Sequence, residues 1–111
     1  MTHESHFVDA DSWVAAVDHV VGRPAARPIL DETGMEPGTL LAVARVEAVR
    51  ADAGGIALLS HEQLAECTGL PRATVLRARL ALIELGLEHL ATAPGAPGTI
   101  RRLLCLHCAT A

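Results

Sequence analysis

The 111-residue sequence predicts a mainly α-helical domain closed by a small β-hairpin, with one further helix at its N-terminal end. Three observations carry that expectation. Apolar residues recur at helical spacing in residues 13–21, 38–53 and 61–85. Within 60–87, two such stretches are separated by one glycine-centred turn. After Gly86, two short runs, 87–92 and 99–106, flank a Pro/Gly-rich loop at 93–98, which is hairpin syntax.

The elements follow in chain order. Residues 1–8 read as a frayed start. A short helix, capped near Asp11 or Ser12, runs through Trp13, Val14, Val17, Val20 and Val21 to about Gly22 and has one apolar face. Pro24 and Pro28 mark Arg23 to Met35 as a helix-poor linker. Pro37 or Gly38 opens a strong helix that ends near Gly54, and Ile56 to Leu59 reads as a first small strand. The domain division is an acidic arm at 1–36 (one short helix and a Pro-containing linker), a main domain at 37–106 and a tail at 107–111.

Ser60 to Leu87 is the most specific segment. Ser60 is a good N-cap and Gln63 completes a capping box. The first helix runs from about His61 to Cys67, with Leu64 and Ala65 inward and Glu62 and Glu66 toward water. Ala65 is small, as two helices crossing at about 90–120° require. Gly69 accepts a positive φ and ends that helix, Leu70 plugs the angle, and Pro71 suits the first turn of the next helix. Val75 and Leu82 carry the inward stripe of the second helix, about Pro71 to Leu85, and Gly86 stops it. This is the grammar of a helix-turn-helix, which presents its second helix to the DNA major groove.

On these residues the chain resembles the winged helix-turn-helix transcription regulators of prokaryotes, GntR-type and related groups. The shared pattern stands here as Leu64-Ala65, Thr68-Gly69-Leu70, Ala73-Thr74-Val75 and Leu82 to Leu87. It covers about residues 38 to 106. The resemblance implies a winged helix-turn-helix fold, in which the hairpin is the wing, and a homodimer bound to double-stranded DNA. The exposed start of the second helix would then meet the bases, through Arg72, Ala73, Thr74 and Arg77. Arg72 and Arg77 suit guanine or phosphate, and Thr74 suits phosphate. On the second wing strand, alternation places Arg101 and Arg102 on opposite faces, so one could reach a phosphate.

Charge bears on this unevenly. The net charge is −4, and duplex DNA repels acidic surfaces. Residues 1–36 hold seven acids against Arg23 and Arg27, whereas 37–111 hold seven arginines against six acids. All nine basic residues are Arg, a bias that a GC-rich coding sequence produces and that also suits phosphate and guanine. Phe7 and Trp13 are the only aromatics, which disfavours single-strand binding by base stacking.

Two features depart from the family pattern. The wing tip lacks a basic residue, which weakens minor-groove insertion. Leu76, Leu80, Ile83 and Leu87 form a second apolar stripe, while Arg79 occupies a position that is often apolar. A surface helix is not apolar on so many sides. The N-terminal helix around Trp13 is expected to cover Ile83 and Leu87. Leu76, Leu80 and Ile83 remain a candidate surface for a protein partner, and Leu76 could instead meet a thymine methyl.

Cys105 and Cys108, with His107 and His89 nearby, have metal-ligand spacing, but one such pair is half of the usual structural zinc set, so no metal or other cofactor is expected. The odd cysteine count fits reduced thiols, and Cys67 reads as buried packing. No phosphate loop, Gly-x-Ser-x-Gly or rigid pair of carboxylates stands out, so no enzymatic activity is expected. No leader or long apolar run is visible, and the expectation is a cytoplasmic protein without membrane contact. The reading is a sequence-specific regulator of transcription, a repressor. The alternatives are a winged-helix adaptor for protein partners and a plasmid or phage replication or control protein.

Overall fold

The computed structural model describes residues 9–91 and 100–104. Five α-helices precede one antiparallel hairpin: α1 (Ala10–Val21), α2 (Arg27–Thr33), α3 (Pro37–Val49), α4 (His61–Thr68), α5 (Arg72–Glu84), β1 (Glu88–Ala91) and β2 (Ile100–Leu103). The chain is therefore mainly helical with a two-stranded sheet, in the register Glu88–Leu103 to Ala91–Ile100. Among the described residues no helix is long and apolar enough to cross a membrane.

One core joins all five helices and β2. Leu40, Val43, Leu64, Val75, Leu82, Leu87 and Leu103 are fully buried, together with Val17 from α1. Each such side chain contributes roughly 1.5–3 kcal/mol of transfer free energy. Helix α1 lies along α3, and α2 lies along α5. Trp13 is the pin of this arrangement. It is 2% exposed, and its indole N–H is shared between the carbonyls of Leu87 and Leu104, each at 3.0 Å. Those carbonyls sit at the open end of the hairpin, where Leu104 N also donates to Leu87 O at 3.1 Å, so α1 closes that end of the sheet.

Four local expectations need correction. Arg23 to Met35 is not helix-poor: a 3₁₀ turn at Pro24–Ala26 runs directly into α2. Pro28 occupies the first turn of α2, where a missing N–H costs nothing, so this proline starts a helix instead of breaking one. The cap of α1 is Asp9, whose carboxylate accepts from Ser12 N at 2.7 Å, ahead of Asp11 or Ser12. Helix α3 ends at Val49 and not near Gly54, because the Asp52 carboxylate accepts from Gly54 N and Ile56 N, both at 2.9 Å, and holds a turn there. That same turn leaves little chain for a strand at Ile56 to Leu59. What remains is a pair of isolated bridges, Ala51–Ala57 and Ile56–Arg102, with Ala57 N donating to Arg101 O and Leu103 N to Gly55 O.

Of the predicted strands 87–92 and 99–106, Leu87 and Leu104 fall just outside the sheet, and residues 92, 99, 105 and 106 lie outside the described residues. The expected frayed start at 1–8, the loop 93–98 and the tail 107–111 lie outside the described residues.

Candidate functional site

Helices α4 and α5 enclose the segment that the sequence marks most strongly. At its start, Gln63 N donates to Ser60 Oγ at 3.1 Å and Ser60 N donates to Gln63 Oε1 at 2.9 Å, a complete capping box. At the turn, Gly69 has φ 74°, a conformation in which a Cβ would crowd the following carbonyl, and its N–H donates to Ala65 O at 2.8 Å. The Thr68 hydroxyl donates back to Leu64 O and accepts from Leu70 N, which closes the corner. Pro71 is the extended N-cap of α5, and its carbonyl accepts from Thr74 N and Val75 N. Helix α5 ends in a Schellman arrangement: Gly86 (φ 80°) donates to Ile83 O and Leu87 N donates to Leu82 O at 2.9 Å.

This geometry puts the start of α5 in solvent. Arg72, Ala73 and Arg77 are exposed and Thr74 is half-buried. Arg72 Nε donates to Glu62 Oε2 at 2.7 Å, and this hydrogen bond is the main reason the Glu62 carboxyl lies below the usual glutamate range. Arg77 Nη2 donates to Thr74 Oγ1 at 3.4 Å, a long and weak bond that leaves its guanidinium open to another acceptor. The positive end of the α5 macrodipole adds to both.

On β2, Arg102 is exposed, whereas Arg101 is turned inward and ion-paired with the buried Glu88. Of the six residues singled out for DNA, Arg72, Ala73, Thr74 and Arg77 thus form one exposed patch at the start of α5. Arg102 is exposed on the hairpin, and Arg101 is held inside.

A second cluster lies one step below the surface and was missed by sequence reasoning. Arg79 is 3% exposed. Its guanidinium donates to Glu47 Oε2 at 3.0 Å, to the Leu59 carbonyl at 2.9 Å and to His61 Nδ1 at 3.0 Å. Because arginine only donates, His61 Nδ1 must accept, which places the ring proton on Nε2. Burial, then the Arg79 charge, hold His61 below its ordinary range, in keeping with a neutral ring. Glu47 and Glu88 are also buried. Burial, followed by the neighbouring Glu47 charge, pushes Glu88 well above the usual glutamate range. The one signal in the sequence was Arg79 at an apolar position. Its partners come from α3, from α4 and from Leu59 just ahead of α4, and nothing in the chain order announces them.

Cys67 is exposed, contrary to the expectation of buried packing. The inward face of α4 is centred on Leu64, with Ala65 and Thr68 beside it, and Cys67 falls past its edge, next to Val46 and Val49 of α3. The metal-ligand candidates Cys105 and Cys108 lie outside the described residues. The second apolar stripe divides: Leu87 is fully buried beneath Trp13, Leu76 and Ile83 are half-buried, and Leu80 is 47% exposed. Searches of protein-family models, curated proteins and solved structures find no match to this chain.

Proposed function

We propose that this chain is a winged helix-turn-helix protein that binds double-stranded DNA in a sequence-specific way and regulates transcription as a repressor. Helix α5 is the recognition helix, and the β1–β2 hairpin is the wing. The observation that carries this reading is the exposed start of α5. The capping box, the Gly69 corner and Pro71 present Arg72, Ala73, Thr74 and Arg77 together, at the positive end of a rigidly docked helix. In this reading Arg77 and Arg72 contact base edges or phosphate, Thr74 a phosphate, and Arg102 the backbone beside the wing. A homodimer on a palindromic or repeated site fits the exposed Val49 and Leu80, which such an assembly would cover.

The test is selection of bound sequences from random duplex DNA by the full chain. An enriched motif is the expected result. Recovery of unenriched sequence overturns sequence-specific recognition.

One observation favours the adaptor reading. Arg79 and Arg101 are turned inward to Glu47 and Glu88, so the arginines left in solvent near α5 are Arg72, Arg77 and Arg102, while Leu80 stands open beside them. Salt dependence separates the two readings: a DNA binder loses affinity for random duplex steeply as salt rises, and an adaptor has almost no affinity to lose.

A further inference from the structure

Arg72 and Glu62 meet across the α4–α5 corner, each in the first turn of its helix. Their backbones are fixed there by the Ser60–Gln63 capping box and the Gly69 turn. The bond between them uses one particular part of the guanidinium: Nε donates to Glu62 Oε2 at 2.7 Å. Among the described residues, Nη1 and Nη2 of Arg72 have no partner. The arginine is thus held by its neck, and its two end groups stand in solvent as a planar pair of donors at fixed spacing. The positive end of the α4 macrodipole favours a carboxylate at the place of Glu62.

The acceptors that such a fork can meet on DNA are not equivalent. A phosphate is anionic and comes up against the Glu62 carboxylate as well as Arg72, so the pair, with almost no net charge, gains little from it. A guanine edge is neutral and sets two acceptors, O6 and N7, side by side. Adenine puts a donor next to N7, cytosine shows a donor, and thymine has one acceptor beside its methyl. Guanine alone satisfies both end groups.

We propose that Glu62 is a positioning residue that holds Arg72 by Nε, so that the Nη pair reads guanine and is turned away from phosphate. This rests on α5 being the recognition helix. In the free protein water screens the pair. In the major groove that water is displaced, and the same bond strengthens in the lower dielectric. Arg77 is the contrast within the same helix. Its side-chain partner is the uncharged Thr74 hydroxyl at 3.4 Å, which leaves phosphate open to it.

The experiment is selection from random duplex DNA, run in parallel on the full wild-type chain, Arg72→Ala, Glu62→Ala and Glu62→Gln, with affinity for random duplex measured by fluorescence anisotropy. The wild-type motif is expected to contain a guanine position whose preference Arg72→Ala abolishes. Glu62→Ala should lower the preference at that same position, and at no other, by about tenfold, while affinity for random duplex rises. In Glu62→Gln the carboxamide oxygen still accepts from Nε without the charge, so guanine preference should return while random-duplex binding stays tight. Both side chains lie in solvent, so the variants should keep the wild-type melting temperature. A guanine preference that Arg72→Ala removes and Glu62→Ala leaves intact overturns the proposal and keeps α5 as the reading helix. So does a Glu62→Ala loss spread evenly over the whole motif. A wild-type chain that enriches no motif overturns the reading of α5, and this proposal with it.

Discussion

Arg72 and Arg79 stand seven residues apart on α5, almost two turns, and so point in nearly the same direction. Both turn toward α4, and each finds an acidic partner: Arg72 pairs with Glu62, and Arg79 with Glu47. The two pairs nevertheless do different things. Arg72 and Glu62 are 54% and 68% exposed, so water screens the attraction and either partner is free to leave. Arg79 and Glu47 are 3% and 0% exposed, and neither can leave without stranding the other. One helix face thus has an end that is available for recognition and a middle that is committed to the fold. Residue type does not separate them; depth does.

Breaking the buried end has the largest expected effect. Arg79→Ala leaves Glu47 and the Leu59 carbonyl buried without their donor and should destabilise the domain by about 3–5 kcal/mol in urea denaturation. A loss similar to that of an ordinary surface substitution would mean that water reaches the cluster. Removing the pin at the hairpin comes next. Trp13→Phe keeps most of the ring but deletes the N–H shared by Leu87 and Leu104, for an expected loss of about 1–3 kcal/mol measured the same way.

Under the proposed function, the exposed end is expected to respond in binding instead of stability. Arg77→Ala should weaken binding to a selected DNA site by about 1–3 kcal/mol with an unchanged melting temperature. Unchanged affinity in both Arg77→Ala and Arg72→Ala would remove α5 as the reading helix. The smallest effect is expected for Glu62→Gln, which frees Arg72 from its charged partner. Binding to random duplex should tighten and its salt slope should steepen by about one unit, measured by fluorescence anisotropy across a salt series. An unaltered slope would show that Arg72 is already disengaged from Glu62 when DNA is present.

The α4–turn–α5 segment was legible because its signals are local. Ser60 and Gln63 bond across three residues, Gly69 and Gly86 take the positive φ their places demand, and Leu64, Val75 and Leu82 fall on the buried face. The hairpin was legible in the same way. The region 23–35 was misread because proline has two meanings. It breaks a helix from within but begins one from the first turn, and only the packing of α2 against α5 decides between them. Cys67 was misplaced because a helix of about two turns has too few apolar residues to define where its inward face ends. The buried cluster was illegible because Glu47, Glu88 and Arg101 look like any surface charge until the fold closes over them.

By itself, then, the sequence determined the mainly helical class, the capped and glycine-broken helix pair and the hairpin that follows, since capping, turn chemistry and periodicity act between residues a few positions apart. Tertiary structure alone decided which arginines stay in water, where Trp13 spends its N–H, and that Glu47 and Glu88 are buried. Those outcomes depend on desolvation, which is a property of depth inside the assembled core and has no counterpart in the order of residues along the chain.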